Sequence, residues 1–359
     1  GGMLCVTCTD MVVLSGNDAQ TCYAKYRSMP THAKYLHENA LRILLHTLET
    51  SACRYRRHIV PIISCSIDFY VRVFVRVFES PAEVKTSCLR EAYVFQSMGC
   101  PSFFIQPVAR KNGNSVSAAP APVCGGTCPQ TGARLKLGGP MWGDPIHDMS
   151  WVQAALRDVT ASAGADASPP IQTKTRLHGL LTAVSEELPD APLYYTMPSL
   201  CETIHCASPK WDDYRSALVN AGYRVSGCHK VPDAIKTDAP DEVVWDILRC
   251  WVKRHPINSK RNSPKSHGHT ILSKEPVLQA DFSRPKSFKP KPKAARFPPN
   301  PEEQWGPKSR ARPKKRPVED GTPGSQSKKP AIDAESEIAA TSTNASAAQE
   351  GTTADDAQA

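Results

Sequence analysis

Four groups of residues carry side chains whose types and spacing could do chemistry. The first is TCTD, Thr7 to Asp10, at the end of a short apolar run. In open α/β sheets, ligands lie beyond the carboxyl ends of the strands. A hydroxyl at Thr9 and a carboxylate at Asp10 are therefore placed to hold an amine, a ribose or a purine edge. The plainer alternative is a strand-to-loop turn in which Asp10 caps nearby N–H groups. The second group is the thiols Cys100, Cys124 and Cys128. Cys124 and Cys128 are spaced C-x3-C, and Cys100 lacks a C-x-x-C partner because residue 97 is Ser. Tetrahedral zinc takes four N or S donors, usually as two close pairs. Here there are three thiols, and His147, distant in sequence, is the next donor available. The third group is Arg72 and Arg76, which flank Phe74 on the same face of a strand as Tyr70. At about 3.3 Å per residue the two guanidiniums stand about 13 Å apart, a span suited to two phosphates. A solvated outer face, or pairs with helix carboxylates, is the competing reading. The fourth is RPKKRP, with Arg312, Lys314, Lys315 and Arg316. It reads as a nucleic-acid-binding or nuclear-import-like patch, or as a solvated linker.

The hydrophobic pattern supplies elements to position these groups. Residues 3–9 form an apolar strand, followed by a loop over residues 16–31. From Thr31 to Ser51 the residues Leu36, Ala40, Leu41, Leu44, Leu45 and Leu48 recur at helical spacing. HIVPIISC and DFYVRVFVRVF are two further strands; in the second, Phe69, Val71, Val73, Val75 and Val77 share one face. Strand, helix, strand, turn, strand is the end of an α/β sheet closed by a hairpin. Residues 80–137 are rich in Asn, Gly, Ser, Ala and Pro. Helices are expected over Met149–Val159, Thr173–Leu188, Pro198–Ile204 and Lys210–Ala221, with strands in YRVSG and AIKTD. That order suggests a winged helix-turn-helix module. DEVVWDILRCWVKR is a last amphipathic helix, and SKRNSPKSHGH reads as linker.

Composition limits the partners. The net charge of +9 is unevenly spread: residues 256–317 hold 16 Lys/Arg against 4 Asp/Glu, and residues 321–359 hold 2 Lys against 6 Asp/Glu. A basic stretch followed by an acidic tail points to a polyanion such as nucleic acid. The 13 cysteines are scattered in apolar runs and read as reduced thiols. No apolar run reaches the roughly 18 residues of a membrane span. P-loop, G-x-G-x-x-G, G-x-S-x-G and H-E-x-x-H motifs are all absent.

Taken together, GGMLCVTCTDMVVLSGN, CYAKYRSMP, HENALRILLHTL, SIDFYVRVFVRVF, LGGPMWGDPIHD, EELPDAPLYYT, TIHCASP, AIKTDAP, WDILRCW, ILSKEPVLQADF and NPEEQWGPKSRARP resemble the eukaryotic tRNA guanine-26 N2-dimethyltransferases. The resemblance runs in order from Gly1 to about Pro313. It implies S-adenosylmethionine as cofactor and methyl transfer to the exocyclic N2 of guanine 26 in tRNA. It implies no membrane and no obligate protein partner, and with RPKKRP it favours the nucleus. The family's donor loop and Asp-Pro-aromatic-Gly motif match nothing in the chain, which is therefore expected to be the C-terminal portion, inactive alone.

Thr7, Thr9 and Asp10 match the family's T-x-T-D segment beside donor and target base, with Thr9 and Asp10 expected at the cofactor. Many members carry two C-x-x-C pairs where this chain keeps Cys100, Cys124 and Cys128, so the implied zinc lacks its full donor set here. The implied fold class is α/β: the C-terminal part of a Rossmann-like methyltransferase sheet, then a mixed α+β winged-helix-like domain and a disordered tail. The expected divisions are 1–80 for the methyltransferase half, 81–140 for a degenerate zinc-ribbon-like insertion, and 141–256 for the tRNA-binding domain. Residues 257–317 form an extended basic segment and 318–359 the tail. Arg72, Arg76 and the RPKKRP run are the expected tRNA contacts. The alternatives are a non-catalytic RNA-binding or regulatory protein derived from such an enzyme, and a winged-helix DNA-binding protein.

Overall fold

Val71, Val73 and Val75 alternate along one strand and lose all contact with solvent. They do so because β-branched side chains on one face of a strand meet the leucine stripe of a single helix. A computed structural model describes residues 1–161, 171, 173–258, 263–286, 288 and 294–299. Arg312, Lys314, Lys315, Arg316 and the 318–359 tail lie outside the described residues. One compact unit runs from Gly1 to Pro307.

The first layer comprises β1 (Gly2–Cys8), α1 (Met11–Leu14), α2 (Ala19–Tyr26), α3 (Leu36–Cys53), β2 (Arg57–Ile67) and β3 (Tyr70–Glu79). Strand order is β1-β3-β2, with β3 antiparallel to both neighbours. Among the described residues, β1 pairs with β3 alone. It is an outer strand of this sheet, with Met3 61% and Leu4 46% exposed. Proline has no N–H for the ladder, and Pro61 sits on the other outer strand, where the register shifts by a bulge before Ile63. Leu41, Leu44 and Leu45 of α3 pack on Val71, Val73, Val75 and Ile59. The loop expected over 16–31 holds α2 instead. Asp18 starts it by accepting from the Thr21 amide, and Arg27 ends it in the left-handed region.

After α4 (Pro81–Lys85) come β4 (Glu91–Ser97), β5 (Phe103–Pro107), β6 (Ala109–Asn112), β7 (Ser115–Ala118) and β8 (Leu135–Trp142). They form a three-stranded sheet of order β5-β4-β8 and a β6-β7 hairpin. The four-residue strands β6 and β7 are mostly exposed and carry little hydrophobic period, which is why sequence pattern did not reveal that hairpin. The middle of β8 docks on the first layer through reciprocal Met29–Gly139 backbone hydrogen bonds of 2.9 and 2.8 Å.

Next come α5 (Met149–Ala161) and α6 (Lys174–Ser185), which cover Ile63, Cys65 and Ile67 of β2. Then follow β9 (Tyr195–Thr196), α7 (Met197–Ile204), α8 (Trp211–Asn220), β10 (Val225–Ser226), β11 (Ala234–Thr237), α9 (Asp241–Arg254) and α10 (His267–Leu272). The sheet order β10-β11-β9 around α7 and α8 is a winged-helix arrangement. Trp245, Leu248, Tyr214, Leu218, Leu200 and Ile271 form its core. The segment read as linker contributes α10, whose Ser266 side chain accepts from the His269 amide. Helix α10 crosses α7 at Gly268, where a Cβ would stand 2.4 Å from the Thr203 carbonyl oxygen. Gly268→Ala is expected to cost about 1–3 kcal/mol by overpacking, read as a lowered urea midpoint. Gly125→Ala, in open space, should leave the midpoint unchanged.

Candidate functional site

At the exit of β1, Thr9 is exposed and Asp10 half-buried. Asp10 makes no side-chain cap on α1. Its Oδ2 instead accepts from Lys25 Nζ at 2.8 Å and from the Tyr26 hydroxyl at 3.3 Å. The Tyr26 hydroxyl also lies 3.2 Å from Cys8 Sγ. Burial, with Cys8 and Asp10 beside it, keeps that phenol protonated well above the ordinary tyrosine range. Helix α2 thus supplies two side chains that fix the carboxylate. Sequence reasoning missed both, although the Asp18 cap was a readable signal.

Strand register brings Thr7 opposite Arg72 and Met3 opposite Arg76. Arg72 Nε donates to Thr7 Oγ1 at 2.9 Å. The Arg72 guanidinium lies 5.4 Å from the Tyr70 ring centroid, and that of Arg76 lies 4.6 Å from the Phe78 centroid. Among the described residues neither arginine is in an ion pair with a carboxylate. Stacked on rings and free of carboxylates, the two cations face out from the half-open side of β3.

The thiols separate into two sets. Cys100 Sγ lies 3.6 Å from Cys128 Sγ, with Ser97 Oγ at 3.4 Å and Ser102 Oγ at 3.2 Å from Cys100 Sγ. Among the described residues, no third Cys, His, Asp or Glu donor lies within 4.8 Å of both sulfurs. Cys124 is therefore not gathered with them, and His147 sits elsewhere. Two thiols and a serine hydroxyl do not fit tetrahedral zinc.

His147 belongs to a buried cluster that spacing did not reveal. Glu38 on α3 accepts through Oε1 from Arg42 Nε at 2.9 Å, Arg42 Nη2 at 2.8 Å and the Leu193 amide at 2.8 Å. Arg42 Nη1 donates to the Trp142 and Asp144 carbonyls at 2.9 and 3.0 Å. Lys236 Nζ of β11 stands 2.9 Å from Glu38 Oε2 and 3.5 Å from Glu187 Oε2. Glu187 Oε1 meets His229 Nδ1 at 2.6 Å, and Glu187 Oε2 lies 3.9 Å from His147 Nε2.

Burial pushes both carboxyls up, but Lys236 and Arg42 hold Glu38 below its ordinary value, as His229 and Lys236 hold Glu187. Burial lowers Lys236, yet the two carboxylates raise it overall. His147, Glu187 and His229 are close enough to suggest a metal. The backbone argues otherwise: the Ser64 amide donates to His147 Nδ1 and the Ser66 amide to His229 Nε2. Each ring must then carry its proton on the nitrogen facing Glu187, and a protonated nitrogen is no ligand. Arg42, Glu38, Lys236 and Glu187 form a chain of alternating charge joining α3 to the winged-helix layer.

Burial lowers His147 from 6.5 to about 3 and His37 from 6.5 to about 4. Both rings stay neutral when folded but bind protons near pH 6.5 when unfolded. Their stability contribution is therefore complete above that pH and is lost as pH falls toward their folded values. Glu38 and Glu187, also lowered, add loss below pH 4.5. Acid unfolding followed by circular dichroism should flatten between about pH 6 and pH 4 in His147→Gln. Glu187→Gln should cost about 3–5 kcal/mol in urea at neutral pH, because Lys236 and Arg42 are then left with a single carboxylate, Glu38, between them.

The family described as N2,N2-dimethylguanosine tRNA methyltransferase matches residues 1–249. A tRNA (guanine(26)-N(2))-dimethyltransferase of Mus musculus is 47% identical over 321 residues, covering 87% of this chain and 48% of the relative. The tRNA (guanine(26)-N(2))-dimethyltransferase 2 of Arabidopsis thaliana is 49% identical over 318 residues, covering 87% of this chain and 53% of the relative. The chain thus spans about half the length of these curated relatives. Among solved structures, Trm1 from Pyrococcus horikoshii, in complex with S-adenosyl-L-methionine, superposes with a TM-score of 0.56 at 25% identity. That match covers 68% of this chain and 58% of the other. An α/β core with the β1-β3-β2 order, and a match that spans more than half of the sequence, agree: the chain belongs to the N2,N2-dimethylguanosine tRNA methyltransferase family.

Proposed function

We propose that this protein takes part in S-adenosylmethionine-dependent methylation of the exocyclic N2 of guanine 26 in tRNA. The observation that carries this reading is the family match over residues 1–249, with Asp10 held by Lys25 and Tyr26 at the exit of β1. S-adenosylmethionine supplies the methyl group in this reaction. Thr9 and Asp10 stand on an open edge, and one Asp10 oxygen is already tied to Lys25. These residues do not by themselves enclose a molecule of that size.

The chain's own residues have defined tasks in this reading. Asp10 Oδ2 is held by Lys25 and Tyr26, which fixes the carboxylate as part of the pocket wall beside the donor. Arg72 and Arg76 bind phosphates of the tRNA backbone. Their ring-stacked guanidiniums lose little side-chain freedom on binding. The winged-helix layer and the 257–317 segment add further phosphate contacts, and the Arg312–Arg316 run supports nuclear residence. No helix among the described residues is long and apolar enough to cross a membrane.

Label from S-adenosylmethionine should appear as dimethylguanosine in tRNA lacking the modification when the full-length gene product is supplied. Binding of tRNA without label transfer would favour the non-catalytic reading. Arg72→Ala and Arg76→Ala should each weaken tRNA binding and lower the slope of log K against log salt by about 1. Unchanged slopes would remove both residues from the interface.

A further inference from the structure

We propose that Cys100 and Cys128 form a reversible dithiol–disulfide pair that occupies the place of a zinc site. Both sulfurs sit on tight turns that face one another. The first is the β4–β5 turn, closed by the Ser97 amide donating to the Ser102 carbonyl at 2.9 Å. The second runs from Cys128 to Ala133, closed by hydrogen bonds of 2.8 Å from the Cys128 and Gly132 amides. The sulfurs are 3.6 Å apart, so a bond of about 2 Å needs only a small approach of two turns. Ser97 stands where a third thiol would be required, and a hydroxyl does not replace it as a zinc donor.

Access is one-sided. Cys128 is 1% exposed. Cys100 lines a cleft of about 580 Å³ together with Lys34, Tyr35, Ser97, Lys136 and Tyr195. The oxidant is a low-molecular-weight disulfide of the glutathione class. Cys100 passes its proton to the Cys128 sulfur 3.6 Å away and then attacks one sulfur of the small disulfide; that S–S bond breaks and one small thiol leaves, taking up a proton. Cys128 then attacks the Cys100 sulfur of the mixed disulfide, forming the internal bond and releasing the second small thiol. The protein gives up two protons and two electrons, and the small disulfide takes up both.

The bond would tie together two contacts with α9. Trp245 Nε1 donates to Ser102 Oγ at 2.9 Å, and Arg249 Nη2 donates to Gln130 Oε1 at 2.6 Å. Each partner lies two residues beyond one of the cysteines. Oxidation therefore braces the ribbon against the winged-helix core.

The test equilibrates the whole chain in a series of glutathione buffers, quenches with an alkylating reagent, and maps peptides by mass spectrometry. A Cys100–Cys128 peptide lighter by two hydrogens, reversed by excess thiol and accompanied by an upward shift in thermal midpoint, is the expected result. Cys124→Ser should leave this pair intact. Cys128→Ser should trap Cys100 as a glutathione adduct. Three results would overturn the proposal. In the first, both cysteines stay alkylated in the most oxidising buffer. In the second, either one pairs with a different cysteine. In the third, one equivalent of zinc protects them until a chelator is added.

Discussion

Everything in the described structure turns on how a carboxylate is kept ionised inside a hydrophobic layer. Glu38 is 2% exposed on a helix that otherwise presents leucines to the sheet. Removing such a charge from water costs several kcal/mol unless it is paired and its lone pairs are filled. Arg42 and the Leu193 amide fill the lone pairs of Oε1, and Lys236 pairs the charge at Oε2. The same arginine then holds the end of β8, and the same lysine reaches Glu187. One helix position thereby fixes the sheet, the ribbon and the winged-helix layer to a common point. Apolar packing alone tolerates sliding; a chain of alternating charges has one register.

Periodicity revealed the elements that bury one face against a neighbour. The leucines of α3, the alternation in β3 and the moment of α9 were all readable, because each follows a simple period. Helix α2 and helix α10 were not. Neither has an apolar stripe long enough to register, and both are set by side-chain caps at Asp18 and Ser266. The β6–β7 hairpin was hidden because its two short strands are mostly exposed, and β8 because its partner β4 lies some forty residues earlier in the chain. The site divided along the same line. Thr7, Thr9, Asp10, Arg72 and Arg76 are visible as local motifs on strands. The Glu38–Lys236–Glu187 chain draws on residues scattered through the sequence. EELPDAPLYYT and AIKTDAP carry Glu187 and Lys236 as pieces of a family signature, but only folding shows that they meet.

The two arginines illustrate how a sheet can prepare a binding surface. A guanidinium resting on an aromatic ring is partly ordered before any ligand arrives. With no carboxylate partner among the described residues, that positive charge stays available for a phosphate. Alternation on β3 makes this arrangement inexpensive to build. The valines on one face secure the strand to α3, which frees the other face to carry cations and rings without loss of the core.

The span of the ion chain also bears on the order of assembly. The Leu193 amide that completes Glu38 lies 155 residues further along the chain. During synthesis α3 leaves the ribosome long before Leu193 and Lys236 exist. Until they arrive, its acid has only Arg42 beside it and must stay wet. A nascent chain that stops short therefore cannot dry the underside of that helix, and the first layer stays soft until the later half has been made. The buried carboxylate works as a completion signal: native rigidity reaches the sheet only once the last participant in its charge balance has been translated.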